Sequence, residues 1–453
     1  MGIVWFFFLR IMQLPSLLGH AQELLLLIRP SDRPADSLID SFFRSHKYLG
    51  SHDRRFIAET TYGTLRHLRR CEVALSEALG NMTASTSRED RSLLLLMSYL
   101  LLVERSTSIP LPDVASRLQS TSLKESLDQI VGRIIHADAS GTGGSVEQLG
   151  IRYSFPDWMV SRFLDQFGGE ETERICRSLN ELAPLTLRVN TLKTTIKECQ
   201  DALRSDGVET ERTKLSPFGL EVSKRINVFQ LKAFREGFFE VQDEGSQILP
   251  ILIDPKPTAR VLDVCAGAGG KTLELAALMK NRGEIVATDV NRFRLQELKK
   301  RCRRAGAFNV RVKELQGASA LTDDFTGSFD IVLVDAPCSG LGTLRRNPGM
   351  KWTVTEKSVH EVSQKQSRIL RDASTRVKPG GRLVYATCTL FREENEDIIE
   401  RFLADQPEFT IIEPNDYLTK WNLTHLARGS YTTLYPHRDG TDGFFLAMLR
   451  RGT

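Results

Sequence analysis

Val261-Leu-Asp-Val-Cys-Ala-Gly-Ala-Gly-Gly-Lys-Thr272 reads as a buried strand, a tight glycine turn and the opening of a helix that continues through Leu273, Leu275, Ala276 and Leu278. Gly267, Gly269 and Gly270 let the backbone come close to a ligand, and the free amides at the helix start can bond its polar groups. Three ligand classes use such a turn. A phosphate-binding loop needs a glycine, four residues, and then Gly270-Lys271-Thr272, and Cys265 stands at the first glycine position. A dinucleotide fingerprint needs Gly or Ala at Thr272, so it fails as well. What remains is Ile285-Val-Ala-Thr-Asp289, a second strand ending in an acid that can accept from both ribose hydroxyls. A nucleoside without phosphate fits this pair, which points to S-adenosylmethionine held by Cys265, Ala266, Gly267, Ala268, Gly269, Gly270, Lys271 and Asp289.

Working outward, strands are expected at 260–264, 284–288, 309–313, 330–334, 382–386 and near 443–449, alternating with helices. That is a doubly wound, Rossmann-like α/β domain from about residue 241 to 453. Two of its strands end in cysteine motifs, Asp335-Ala-Pro-Cys338-Ser-Gly340 and Ala386-Thr-Cys388-Thr389. Ligands of open α/β sheets bind beyond the carboxyl ends of the strands, so both thiols are candidates for one crevice. A lone cysteine after a strand is more often a small core residue; the pairing with Asp335 and the glycine loop shifts the reading toward chemistry.

The helix expected over 291–305 carries seven cations, from Arg292 to Arg304, against one acid, Glu297. Such a run is usually a solvated surface, although it also suits a phosphate backbone. Arg345, Arg346 and Lys351 follow the Asp335 motif directly and are the better candidates for RNA contact.

The chain has 453 residues, 61 Lys and Arg against 57 Asp and Glu, and a net charge of +4, so a nucleic-acid partner has to be met by a local patch. Seven cysteines without a CxxC pair argue against disulfides and against a zinc site, so no metal is expected and the compartment is reducing and cytoplasmic. Ile3-Val-Trp-Phe-Phe-Phe-Leu9 is too short to span a membrane and lacks the flanks of a signal peptide. It reads as an early piece of the first helix, or as upstream of a true start at Met12. Residues 1–140 are expected to form an all-α domain, closed by the linker Ser140-Gly-Thr-Gly-Gly-Ser145. Residues 150–240 read as a small α+β domain related to ferredoxin-like RNA-binding folds, with strands at Thr186–Val189, Gly219–Val222 and Phe238–Val241.

At these motifs the chain resembles the RNA cytosine-5 methyltransferases of the Sun/Fmu, or RsmB-like, type. The likeness rests on the Cys265–Lys271 loop, on Asp335–Gly340 with Arg345-Arg346-Asn-Pro-Gly-Met-Lys-Trp352, on Tyr385-Ala-Thr-Cys-Thr389 and on Asp439-Gly-Thr-Asp-Gly-Phe-Phe445, with weaker matches at Leu187–Asn190 and Gly237–Glu244. Tyr48–Arg54 with Tyr62-Gly63 resembles the family's NusB-like helical domain. The resemblance implies that Cys388 adds to carbon 6 of a cytosine, that Cys338 assists product release, and that Asp335 lies at the cytosine or cofactor edge, donating to ring nitrogen 3 when protonated. It also implies 16S ribosomal RNA as substrate for a monomer. From the residues alone, either cysteine could be the nucleophile. One position departs from the pattern, since Gln316 stands where the family places an aspartate near adenine. A second reading is a NusB-like ribosome-assembly or transcription factor whose methyltransferase domain has decayed; both cysteines, Asp335 and the intact glycine loop argue against it.

Overall fold

Apolar residues recurring at three- and four-residue spacing make the first part of the chain helical. The computed structural model describes residues 13–29, 31, 33, 35–106, 109, 111–137, 143–224, 226–315 and 326–453. The expectations for Ile3–Leu9, Met12 and Gln316 lie outside the described residues, as do residues 140–142 of the linker. The helices are α1 (Leu14–Ile28), α2 (Ala35–Ser45), α3 (Ser51–Arg66), α4 (Leu68–Leu79), α5 (Arg88–Leu102), α6 (Leu111–Arg117), α7 (Thr121–Glu125), α8 (Leu127–His136), α9 (Val146–Tyr153), α10 (Asp157–Phe167) and α11 (Gly169–Leu179). Ser87 caps α5 by accepting from the Asp90 amide, and every residue from Ser92 to Leu100 in this helix is buried, as befits the middle of a bundle. The Asp90 carboxylate in turn accepts from the amides of Gln119 and Ser120.

The chain divides into two compact units, one of Met1–Asn180 with Arg346–Thr353, the other of Glu181–Arg345 with Val354–Thr453. The first unit thus extends past residue 140 to take in α9–α11. It also takes in a short segment from far along the chain.

The second unit contains two sheets. The smaller is antiparallel, built from β1 (Thr186–Val189), β2 (Thr210–Arg212), β3 (Gly219–Val222) and β4 (Phe239–Val241) in the order β2-β3-β1-β4, with helices α12 (Ile196–Ser205) and α13 (Lys232–Arg235). After α14 (Glu244–Ile253) come β5 (Arg260–Asp263), α15 (Gly270–Leu278), β6 (Glu284–Asp289), α16 (Arg292–Ala305), β7 (Val310–Glu314) and β8 (Phe329–Asp335). Then follow α17 (Met350–Thr353) of the first unit, α18 (Glu356–Ser374), β9 (Val377–Thr387), α19 (Glu396–Asp405), β10 (Phe409–Ile411), β11 (Ala427–Arg428), β12 (Tyr431–Leu434) and β13 (Phe444–Arg451). The larger sheet runs β11-β12-β13-β9-β8-β5-β6-β7, with β10 on β13. Its strands from β9 to β7 are parallel, whereas β13 enters antiparallel to β9.

Successive strand residues point to opposite faces. Val261, Ile285, Ile331, Leu333 and Val384 pack in one core layer, and Leu262, Val286, Val332, Val334 and Tyr385 in the other. A sheet covered on both faces explains why these strands read as unbroken apolar runs. The chain reverses direction of winding between β5 and β8, and the ends of both strands open at that switch point.

Candidate active site

Strand register brings the two cysteines together. Asp335, the last residue of β8, pairs with Ala386 of β9, and the Ala336 amide donates to the Ala386 carbonyl at 2.8 Å. The Asp335–Ala386 pair lies three residues before Cys338 and two before Cys388. Their sulfurs lie 3.3 Å apart, and the Cys388 amide donates to the Cys338 sulfur at 3.4 Å. Gly342 follows closely: its amide donates to the Cys388 carbonyl at 2.9 Å, and a Cβ there would meet the Gly443 carbonyl oxygen at 2.3 Å. Only glycine allows that approach.

Below the sulfurs lies a carboxylate that the sequence does not single out. Glu394 is fully buried and accepts from the Ser339 amide (2.8 Å), the Ser339 hydroxyl (2.5 Å), the Thr389 hydroxyl (3.0 Å) and Gln366 Nε2 (3.0 Å). Ser339 and Thr389 each follow one of the cysteines, so one side chain ties both cysteine loops to one point. Burial raises its carboxyl above the usual range, against the pull of these donors. The Cys338 thiol is raised well above an ordinary cysteine by its hydrogen bond to Cys388, by burial and by negative charge on Cys388 and Glu394.

The glycine loop sits beside this pair. Gly269 takes φ +88°, and a Cβ on it would meet Leu298 Cδ1 at 2.0 Å, so the turn into α15 requires glycine. The helix then presents Lys271, whose ammonium donates to Asp335 Oδ2 at 2.7 Å. Burial disfavours that ammonium, but the charge of Asp335 and the hydrogen bond to it, with smaller contributions from Cys388 and Asp263, hold it above the ordinary lysine value. In this pair the hydrogen-bond donor is Lys271, and Asp335 accepts. Asp289, at the end of β6, accepts from the Gly267 amide at 2.9 Å and the Asn291 amide at 2.7 Å, one on each oxygen. Asp263, at the end of β5, accepts from the Thr272 hydroxyl at 2.7 Å through one oxygen, while its other oxygen is buried without a partner. Burial pushes the Asp263 carboxyl up to about 7. Cys265 is also raised by burial, then by Asp263 and Asp335, which makes it a poor thiolate.

Two of the three expected RNA contacts are turned inward. Arg345 is buried, with Nη1 on the carbonyls of Gly440 (2.7 Å) and Thr441 (3.3 Å). Lys351 is fully buried in the first unit, where its ammonium donates to the carbonyls of Arg66 and Ser154 (both 3.1 Å) and to Asn180 Oδ1 (2.5 Å) and stands 3.8 Å from the Phe155 ring centre. A cation whose donors are spent on buried acceptors is not offered to phosphate, so Arg345 and Lys351 are structural here. Arg346 is half-buried within the first unit. Two cations of the basic helix α16 are turned inward as well: Arg301 and Arg304 both pair with the buried Glu240, at 2.9 and 2.5 Å, and Arg301 also donates to the Ala268 carbonyl of the glycine loop.

Residues 250–450 match the family described as 16S rRNA methyltransferase RsmB/F, and residues 155–229 match the ferredoxin-like domain of the RsmF/B-like methyltransferases. The probable ribosomal RNA small subunit methyltransferase B of Synechocystis sp. is 33% identical over 94% of this chain and 97% of that one. The chain belongs to the RsmB/F methyltransferase family. Its likeness to the probable ribosomal RNA small subunit methyltransferase B of Bacillus subtilis, 30% identical over 97% of this chain and 100% of that one, is of the same extent. The crystal structure of PH0851 matches with a TM-score of 0.80 and 30% identity over 97% of this chain and 100% of that one.

As a member of the RsmB/F family the protein uses S-adenosylmethionine. The loop suits this molecule. At Gly267 and Gly270 an added Cβ would meet nothing within 4 Å, which leaves open space in front of the backbone, and Asp263 holds a buried oxygen in want of a partner. Among the described residues no helix is long and apolar enough to cross a membrane.

Proposed function

We propose that the protein methylates carbon 5 of a cytosine in 16S ribosomal RNA through a covalent bond to Cys388. The observation that carries this reading is the pair of sulfurs at 3.3 Å, at the strand ends beside the Lys271–Asp335 ion pair.

Carbon 5 of cytosine is a weak nucleophile. Attack of the Cys388 thiolate on carbon 6 forms a C–S bond and moves the ring electrons toward carbon 5 and nitrogen 3, giving an enamine. S-Adenosylmethionine, held by the Cys265–Lys271 loop and Asp289, supplies the electrophilic methyl group that carbon 5 accepts. Loss of the carbon 5 proton to a base then returns the electron pair to the ring and breaks the C6–S bond. A thiol at Cys338 serves both ends of this sequence: its hydrogen bond stabilises the Cys388 thiolate before attack and again as the leaving group. Lys271, with Asp335 accepting from it, places positive charge where negative charge gathers on the ring, in a site of low dielectric. Residues 1–140 act in RNA selection as a NusB-like domain, and the ferredoxin-like domain with the exposed cations of α16 supplies backbone contact.

The test is methyl transfer from radiolabelled S-adenosylmethionine to 16S RNA by the purified protein, with nucleoside analysis of the product. Label in 5-methylcytidine is expected. Label in any other nucleoside, or none with either naked RNA or small-subunit particles, overturns the reading.

A further inference from the structure

We propose that His20, Glu23 and His46 form a binding site for a divalent transition-metal ion of the zinc type, clipping α1 to the end of α2. One ligand atom from each of the three lies within 4.8 Å of the other two. His20 and Glu23 are three apart on α1 and so share a face, and His46 directly follows α2. The carboxylate divides its oxygens between the rings, Oε2 standing 3.6 Å from His20 Nδ1 and Oε1 3.8 Å from His46 Nε2.

The outer nitrogens fix how the inner ones are presented. His46 Nδ1 lies 2.8 Å from the Phe42 carbonyl and 3.1 Å from Ser45 Oγ, and the Ser45 hydroxyl gives its own proton to the same carbonyl at 2.8 Å. A carbonyl can only accept, so Nδ1 carries a hydrogen, and in the neutral ring Nε2 turns a lone pair toward Glu23. Stacking of the ring on Phe42, with centres 4.1 Å apart, holds that aim. His20 turns Nδ1 toward the carboxylate and has Nε2 3.4 Å from the Tyr48 hydroxyl, a group able to accept from that nitrogen or donate to it. Metal-binding histidines are characteristically oriented through the nitrogen that does not touch the metal.

A lone pair facing a carboxylate is repulsive unless a positive charge intervenes. A proton would supply it, but a direct charged hydrogen bond closes to about 2.8 Å, and both gaps here are wider. Ligands at about 2.1 Å from a tetrahedral ion lie about 3.4 Å from one another, which is nearer the spacings seen. Two imidazoles and one carboxylate, with solvent in the fourth position, match the preference of zinc for nitrogen and oxygen donors. The absence of paired cysteines excludes the thiolate class of zinc site and leaves this class open.

The experiment uses the untagged full-length protein, stripped with chelator and titrated with zinc by calorimetry and with cobalt by visible absorption. One equivalent bound, with a ligand-field spectrum of low coordination number and a raised melting temperature, is expected. His46→Ala and Glu23→Gln should each weaken zinc binding by more than about tenfold, whereas His52→Ala, an exposed histidine outside the cluster, should not. The wild-type cobalt spectrum needs no variant to fold: a purely octahedral, water-like spectrum overturns the proposal. So does zinc affinity equal in wild type and His46→Ala, which would leave a water-bridged ion pair.

Discussion

At the scale of single residues the proposed mechanism gives the two cysteines different roles, and substitution separates them. If Cys388 adds to carbon 6, Cys388→Ala forms no methylated product and no adduct. Cys338→Ala still attacks and transfers methyl, then stalls because the departing sulfur has lost its donor; it should give a protease-sensitive RNA–protein band on a denaturing gel, dependent on S-adenosylmethionine. The reverse pattern assigns attack to Cys338. Glu394 is a positioning residue in this scheme. Glu394→Ala leaves the Ser339 amide without its acceptor, takes one of two acceptors from Gln366 Nε2 and frees both cysteine loops, which should lower kcat by at least about tenfold, since displacements of about 1 Å can cost a hundredfold. Cofactor affinity should hold, and Glu394→Gln, which keeps an acceptor, should recover part of the rate. An unchanged kcat in the alanine variant would remove Glu394 from this role. The cysteines are legible in sequence because each ends an apolar run. Glu394 is not, because Arg392-Glu-Glu-Asn-Glu396 looks like the solvated start of a helix, and only the tertiary path brings it under both loops.

At the scale of elements, the parallel strands are legible because burial on both faces removes polar residues from them, and Asp263, Asp289 and Asp335 stand out as the first charges after each run. The pairing of Lys271 with Asp335 is not legible, since it joins the start of α15 to the end of β8, 64 residues apart in the chain. Among the helices, the junction of α3 and α4 carries a titration. His67 stands between them, and burial, followed by the charges of Lys351, Arg66 and Arg70, pushes its imidazole down to about 3. The folded state therefore takes up this proton less readily than the unfolded chain, whose histidine titrates at about 6.5. Stability from this group is complete above pH 6.5 and is lost as pH falls from there toward 3. The melting temperature of the wild type should drop between pH 7.5 and 5, and His67→Gln, which cannot charge, should show a smaller drop. Equal slopes would mean that His67 is not the group responsible.

At the scale of the whole molecule, chain order and folding unit do not coincide. Arg346–Thr353 lies between β8 and α18 in sequence yet folds within the helical unit, where Trp352 donates to the Leu65 carbonyl at 2.7 Å and Lys351 reaches three acceptors. The sequence cannot announce this, because Arg345-Arg346 and Lys351-Trp352 have the composition of an exposed nucleic-acid patch. A cut near Ser145 is consequently not clean: it would strip Arg66 from Lys351 and Leu65 from Trp352. Lys351 is held well below an ordinary lysine by burial, with Arg66 adding to the effect and Cys176 opposing it, so its place is secured by hydrogen bonds rather than by an ion pair. Lys351→Met fills the same space without donors and removes the ammonium that the carbonyls of Arg66 and Ser154 and the Asn180 amide oxygen accept from in a buried position. A buried acceptor left unsatisfied costs about 1–3 kcal/mol, so the substitution should lower the melting temperature of the full-length protein markedly while RNA binding by other cations persists. Chemical denaturation with Trp352 fluorescence as the readout would measure it. If Lys351 were a phosphate contact instead, Lys351→Met would leave stability unchanged and reduce the salt dependence of RNA binding by about one charge.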